Sequence, residues 1–341
     1  MGFPRVVDLG IVYTRLILPM RVLVTGGAGF IGSHVSERLL REGHELAIID
    51  DLNDFYSPQL KLNNLTAIRK AGLPCFYEGD VRDENLVGRI FAENRPDALI
   101  HLAARAGVRP SLEQALLYES VNVRGTMVLL ESCRTYGIEK FIFASSSSVY
   151  GIADRVPFRE DDSANLPISP YAATKLACEK LCYTYSHLYD LPVTCLRLFT
   201  VYGPRQRPDL AIQKFTERID ANLPIPVFGD GSSSRDYTYI DDIVDGVLAA
   251  LVHSGRYDIF NLGNSSPVEL MRLIRLIEGN LGKPAKLKWM PIQPGDVPLT
   301  YADISKARSA LGYEPRIPIT EGIRAFIEWY RRETGLRHSA L

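Results

Sequence analysis

No stretch of this chain is apolar for long enough to cross a bilayer; nowhere do about 18 apolar residues run without a charge. Cysteine is scarce. There are five in 341 residues (Cys75, Cys133, Cys178, Cys182, Cys195), an odd number without C-x-x-C spacing, which argues against a disulfide framework and a zinc ribbon. Cys178 and Cys182 stand one helical turn apart, but no neighbouring His or Cys pair completes a ligand set, so no metal is expected. Reduced, packed thiols fit a reducing cytoplasm. Net charge is lacking too: 39 Lys and Arg against 40 Asp and Glu leave −1, which offers no electrostatic reason for nucleic acid or a membrane surface as partner. Internal repeats and low-complexity linkers are absent. A signal peptide is not expected either, because Arg5, Asp8 and Arg15 interrupt the apolar residues of 1–19 and no small-residue cleavage site stands out. The first recognisable element opens at Met20, so 1–19 read as an appended extension with no function assigned. What remains is 46% hydrophobic and 23% charged, the balance of a globular enzyme.

The most informative stretch near the start is Arg21-Val-Leu-Val-Thr25, an apolar run, followed by Gly26-Gly-Ala-Gly29-Phe30-Ile31-Gly32 and a helical pattern from Ser33 to about Arg41. Glycines 27, 29 and 32 fit G-x-G-x-x-G, and 26, 29 and 32 fit a wider spacing. A turn without Cβ lets a pyrophosphate approach the backbone at a helix N-terminus, where N–H groups and the helix dipole favour anions. A second strand, Glu45-Leu-Ala-Ile-Ile-Asp50, ends in an acid about 18 residues past the last glycine. A carboxylate there accepts from a ribose 2′-hydroxyl and repels a 2′-phosphate, so NAD is favoured over NADP. Asp51 follows, and no arginine sits beside the pair in sequence.

Strand and helix patterns then alternate. Cys75 to Val81 reads as a third strand and its exit, 83–93 as a helix, and Asp97 to Ala104 as a fourth strand. One long helix is expected over about 116–136, and Lys140 to Ser145 as a fifth strand. This spacing makes βαβ units and a parallel sheet, whose ligands gather at the C-terminal strand ends. Ser145-Ser146-Ser147-Ser148-Val-Tyr-Gly151 occupies such an end. Downstream, Tyr171 and Lys175 stand at i and i+4, on one face of a helix. An ammonium near a phenol favours the phenolate, and a phenolate can take a proton from a sugar hydroxyl. Hydroxyls at the strand exit can hydrogen-bond the reacting oxygen. The plain alternative is a helix packed by Tyr171 and solvated at Lys175.

Together these stretches resemble the extended short-chain dehydrogenase/reductase family and, within it, the nucleotide-sugar epimerases and dehydratases. The likeness runs from Met20 to about Tyr330, on Thr25–Gly32, Gly79-Asp80-Val81, His101-Leu102-Ala103-Ala104, Asn122-Val-Arg-Gly-Thr126, Ser145–Gly151, Tyr171 with Lys175, Arg235-Asp-Tyr and Tyr301-Ala-Asp. It implies an α/β fold, a Rossmann-type doubly wound parallel sheet over 20–198 holding NAD. A smaller mixed α/β region over 199–341 would bind a UDP-sugar, with some chain exchange between the two. It places Asp80 and Val81 at the adenine, Leu102, Ala103, Ala104 and Asn122 along the cofactor, and Lys175 also on the nicotinamide ribose. The dehydratases and decarboxylases of the family carry acids before Val-Tyr-Gly. Here Ser146, Ser147 and Ser148 stand there, so dehydration is not expected and 4-epimerisation is, with Tyr171 as acid/base and Ser146 on the sugar oxygen.

Three stretches resemble the glucuronate-type epimerases: Asp50–Ser57, Ala106-Gly-Val-Arg109-Pro-Ser111, and Phe199-Thr200 to Arg205-Gln-Arg207-Pro-Asp209. Arginine meets a carboxylate with a fork of charge-assisted donors, so Arg207, with Thr200, Ser147 and Ser148, is expected to read the sugar C6 carboxylate. By the same likeness Pro226-Val227-Phe228-Gly229 borders uracil, Arg235 meets the diphosphate and Asp296 the ribose. Gln293 replaces a second phosphate arginine, for which Arg109 is the candidate substitute. The rival reading is a UDP-glucose or UDP-N-acetylhexosamine 4-epimerase, and a remote one is a non-catalytic NAD-binding protein. The family likeness also implies a homodimer pairing the helices around 116–136 and 171–189.

Overall fold

The structure is a computed structural model that describes residues 19–338, with side chains to 335, except 153–154, 163–165 and 293–294. The expected extension, apart from Pro19, and Gln293 therefore lie outside the described residues. The first half runs β1 (Arg21–Thr25), α1 (Phe30–Arg41), β2 (Glu45–Asp50), α2 (Pro58–Ala71), β3 (Cys75–Glu78), α3 (Glu84–Asn94) and β4 (Ala98–His101). Then come α4 (Val108–Glu113), α5 (Ala115–Tyr118), α6 (Gly125–Tyr136), β5 (Lys140–Ser146), α7 (Pro170–Tyr189) and β6 (Val193–Leu198). The second half adds β7 (Thr200–Tyr202), α8 (Ala211–Asp220), β8 (Ile225–Phe228), β9 (Ser234–Tyr239), α9 (Ile240–Leu251) and β10 (Tyr257–Leu262). It closes with β11 (Pro267–Glu269), α10 (Leu270–Leu281), β12 (Leu287–Met290), α11 (Ser305–Leu311) and α12 (Ile319–His338).

Seven parallel strands form the main sheet in the order β10-β6-β5-β4-β1-β2-β3. The order reverses between β1 and β4, which opens a crevice at their C-terminal ends. Side chains alternate across the sheet. Val22, Val24, Ile48, Ile100, Ile142 and Leu196 face one core with α1, α2 and α9. Leu23, Ile49, Leu99, Phe141, Phe143 and Val193 face the other with α3, α6 and α7. Both faces are covered, which is why these strands read as continuous apolar runs and not as alternating ones. Cys133, Cys178, Cys182 and Cys195 are buried free thiols in the second layer. Two small sheets, β11-β9-β7 and β12-β8, belong to the second half of the chain. β10, though late in sequence, lies at the edge of the main sheet beside β6.

The helix expected over 116–136 is not continuous. Residues Glu119–Arg124 wind as a π-helical segment between α5 and α6, a wide turn of the kind that re-aims side chains at functional sites. It turns Val121 into the cleft, while Asn122 becomes buried behind it. Among the described residues no helix is long and apolar enough to cross a membrane.

Candidate active site

A cleft of about 460 Å³ lies over the C-terminal ends of β1, β2, β4, β5 and β6. At its floor, the glycine turn leads into α1. Gly26 has φ +68°, and a Cβ there would sit 2.7 Å from Ala103 N; a Cβ on Gly32 would sit 2.1 Å from Gly26 O. Only glycine fits either place. Gly26, Gly29, Phe30, Ile31 and Gly32 line the cleft, whereas Gly27 packs toward Ile48, so the wider glycine spacing is the one that shapes it. The helix starts at Phe30, three residues before the sequence pattern suggested, after Gly29 in an extended conformation. The opening N–H groups of a helix have no partner within it, and a negative ligand satisfies them.

Asp50 is buried behind this turn. Its carboxylate accepts from Ala28 N–H (3.1 Å) and Leu52 N–H (3.0 Å) and sits 3.4 Å from Lys61 Nζ. Burial pushes the Asp50 carboxyl up, against the lowering pull of Lys61. Asp51 is more exposed and lies 3.7 Å from the same lysine. Sequence reasoning found no cation beside the acid pair; the fold supplies one from α2, but two carboxylates neutralise it. Asp80 is chelated by Arg82, which holds its carboxyl below the usual range.

Asp80, Val81, Leu102, Ala103 and Ala104 all line the cleft. Asn122 does not. Its Oδ1 accepts from Arg105 N–H (2.8 Å), and its Nδ2 donates to Arg105 O (3.1 Å) and Thr174 Oγ1 (3.0 Å). The amide is spent on bracing the 103–107 loop against α7, and the neighbouring Val121 faces the cleft instead. His101 works beneath the same loop. Burial takes its pKa down to about 3, so the ring is neutral. Thr126 Oγ1 donates to Asn122 O, which leaves it to accept from His101 Nε2; His101 Nδ1 then accepts from Thr25 Oγ1.

At the other end of the cleft, Ser169 caps α7 by accepting from Ala172 N–H (3.2 Å), with Pro170 at its first position. This fixes Tyr171 and Lys175 on the face that lines the cleft. Lys175 Nζ is buried and donates to Ala144 O (2.6 Å) at the end of β5. The Tyr171 ring stands edge-on to Tyr118, whose hydroxyl donates to Ala106 O (3.0 Å). Burial moves the Tyr118 phenol up to about 12. Ser146, Ser147 and Ser148 face the same space; Ser146 Oγ is 3.1 Å from Ser148 Oγ and accepts from Ser148 N–H. No carboxylate occupies those three positions.

Thr200 and Arg207 complete that wall. Arg207 is held by Asp209 through two bonds, Nε to Oδ1 at 2.9 Å and Nη2 to Oδ2 at 2.6 Å, and lies 5.3 Å over the Phe55 ring. Burial opposes its charge, but the bonds and charge of Asp209 outweigh this. Sequence reasoning assigned no role to Asn53, Phe55, Tyr56, Lys61 or Arg105, which also line the cleft. The position of 51–57 after a strand's C-terminal end was the available signal for Phe55 and Tyr56. Lys61 had none, because α2 was not identified.

The residues expected at the nucleotide form a separate group. Arg109 donates to Asp296 (2.7 Å) and lies 4.4 Å over the Phe228 ring. Val227 points into the core. Arg235 Nη1 donates to Ser234 O (3.0 Å) and Pro298 O (3.3 Å).

Beneath the serines, Glu179 and Arg197 form a fully buried pair with bonds of 3.0 and 2.9 Å. Ser145 Oγ donates to Glu179 (2.5 Å), and Arg197 lies 4.7 Å over the Tyr150 ring. A further tie joins the two halves of the chain. Arg205, at φ +64°, pairs with Glu37 of α1 and donates to His34 Nε2 (3.1 Å). Burial, with the Arg205 charge, takes His34 down to about 3.

The sequence profile of the NAD dependent epimerase/dehydratase family matches residues 22–263. A UDP-glucuronate 4-epimerase of Thermodesulfobacterium geofontis is 44% identical over 315 residues, covering 92% of this chain and 97% of that one. The structure resembles UDP-glucuronic acid 4-epimerase of Bacillus cereus, solved with UDP-glucuronic acid and NAD, at TM-score 0.87 and 34% identity, covering 92% of this chain and 100% of that one. It resembles UDP-glucose 4-epimerase of Thermotoga maritima, solved with UDP-glucose, at TM-score 0.86 and 34% identity over the same shares.

Proposed function

Because this chain belongs to the NAD dependent epimerase/dehydratase family, we propose that it is a UDP-glucuronate 4-epimerase, interconverting UDP-glucuronate and UDP-galacturonate through a 4-keto sugar. The observation that carries the reading is Arg207, with Thr200, Ser147 and Ser148, on the wall of the cleft that also holds Tyr171. Likeness of fold is equal for a glucuronate and a glucose enzyme, so the side chains at the sugar end decide. A buried arginine there suits a carboxylate, which offers a counter-charge and two acceptor oxygens where a hydroxymethyl group offers one neutral oxygen.

The cofactor is NAD, and the residues present fit it. A Cβ-free cradle at Gly26 and Gly32 and the first turn of α1 suit its pyrophosphate. Asp50 at the end of β2, which also braces the turn, suits the adenosine ribose, with Asp51 beside it on the cleft wall. Asp80 and Val81 would border the adenine, Leu102 to Ala104 the middle, and Lys175 the nicotinamide ribose. When bound, NAD would supply a reversible acceptor for the C4 hydrogen as hydride, so that no net oxidation would result. In this reading Tyr171 takes the proton of the C4 hydroxyl and gives it back after the sugar has turned over. Ser146 holds the C4 oxygen. Arg207 holds the C6 carboxylate, which matters chemically because a 4-keto uronate is a β-keto acid prone to lose CO₂. Phe228, Arg235, Asp296 and Arg109 are assigned to the UDP half; Val227, its side chain packed in the core, has only its backbone to border the base. The Arg109–Asp296 pair must open if both are to reach the nucleotide.

Exposed apolar side chains on neighbouring helices, Leu116 of α5 and Tyr183 and Leu188 of α7, support a homodimer. The free thiols support a reducing compartment such as the cytoplasm.

The test is incubation with UDP-glucuronate without added cofactor. UDP-galacturonate as sole product supports the reading; UDP-pentose makes the protein a decarboxylase, and turnover of UDP-glucose alone makes it the glucose enzyme. Arg207→Ala should cut kcat/KM for UDP-glucuronate about 30-fold or more, the scale for truncating one partner of a buried charge pair, and change any UDP-glucose activity far less. Equal losses would return Arg207 to a structural role.

A further inference from the structure

We infer that Asp209 is a specificity-determining residue: an internal carboxylate that stands in for the substrate's on Arg207 and sets how strongly the cleft prefers an anionic sugar. The inference rests on Arg207 reading the C6 carboxylate. A guanidinium has two useful edges, one through Nε and Nη2 and one through both terminal nitrogens. Asp209 occupies the first, at 2.9 and 2.6 Å. Nη2 is also 3.5 Å from Ala106 O, and among the described residues Nη1 has no hydrogen-bond partner. The edge turned away from Asp209 is therefore the one open to a ligand.

The two partners are unequally placed. The Arg207 side chain is 17% exposed and that of Asp209 39%. An arginine so enclosed needs a counter-charge when no ligand is present, because burial disfavours its cation. Asp209 supplies it from the rim, where water can take over its solvation when a second carboxylate arrives. The Phe55 ring, 5.3 Å from the guanidinium, blocks one face and keeps the plane fixed during that exchange. Two carboxylates then share one cation, and their repulsion weakens binding of the acid sugar and speeds its release. Asp209 costs the enzyme affinity for its anionic substrate and spares it an uncompensated buried charge.

The test is Asp209→Asn, which keeps size and one acceptor oxygen but removes the charge, in the protein carrying its bound cofactor. KM for UDP-glucuronate should fall about tenfold, the scale of a like-charge pair that water screens at the rim. KM for UDP-glucose should stay or rise, and Kd for UDP, which has no sugar, should stay. An unchanged or raised KM for UDP-glucuronate overturns the inference, as does a parallel change for both sugars. If the wild-type protein makes no UDP-galacturonate, the substrate reading fails and this inference with it. A wild-type protein that does, beside an indifferent Asp209→Asn, sinks the inference alone.

Discussion

Tyr171→Phe should lower kcat for epimerisation by about a thousandfold, within the range general acid–base catalysis supplies, while NAD and UDP-sugar still bind. The reason lies in what surrounds the ring. Tyr118 packs edge-on against it, but is itself buried, donates to Ala106 O, and is pushed up to about 12, as burial also does to Tyr56 on the cleft wall. Lys175 Nζ already donates to Ala144 O. The serine hydroxyls can share a proton and have too little basicity to take one. No neighbour can therefore replace the lost oxygen. The edge-on packing against Tyr118 needs only the ring, so the helix start should keep its place. Progress curves of UDP-glucuronate and UDP-galacturonate against pH, with bound nicotinamide followed by absorbance, check this. A loss smaller than tenfold would mean that another group moves the proton.

The second large effect is on stability. Glu179→Ala should cost about 3–5 kcal/mol, because it leaves Arg197 charged and buried without its counter-ion. That is a large share of the roughly 5–15 kcal/mol that holds a typical domain folded. Arg197 has little room to recover. Its side chain is 3% exposed, its Nη1 has no hydrogen-bond partner, and Tyr150 covers its plane at 4.7 Å. Replacing both residues by apolar ones of similar size should regain most of the loss, since a buried pair exchanged as a unit is often neutral. Urea unfolding of the two variants and the wild type measures both. A single variant that loses less than about 1 kcal/mol would mean that water reaches Arg197.

Much of this was readable in the chain, for physical reasons that differ by element. β1, β2, β4 and β5 are bounded apolar runs because both faces of the sheet are covered. The glycine turn was legible because only glycine fits at Gly26 and Gly32. The i, i+4 spacing of Tyr171 and Lys175 is weak by itself and is informative only beside the glycine turn and the alternating strands upstream; both side chains line the cleft. The π-helical segment at Glu119–Arg124 did not, since its residues fit an ordinary helix and the widened turn follows from tertiary packing. With it went the placement of Asn122, whose amide braces Arg105, where an approach to the cofactor had been expected. Lys61 and Arg105 reach the cleft from elements far apart in sequence, and no local pattern marks them. Nor does one mark β10, which crosses back to the main sheet from the second half of the chain.

The clasp of Arg205 on Glu37 and His34 has a meaning for how such an enzyme changes its diet over generations. The segment that carries Thr200 and Arg207 is fastened to α1, about 170 positions earlier in the chain. A loop spanning 200–209 transplanted from a relative with other tastes would arrive without its anchor unless positions 34 and 37 travelled with it. Comparing thermal midpoints of such chimaeras, with and without those two positions, would expose the debt. Divergence in what this scaffold accepts is then inherited as a linked set, split between a loop and a helix that selection cannot edit one at a time.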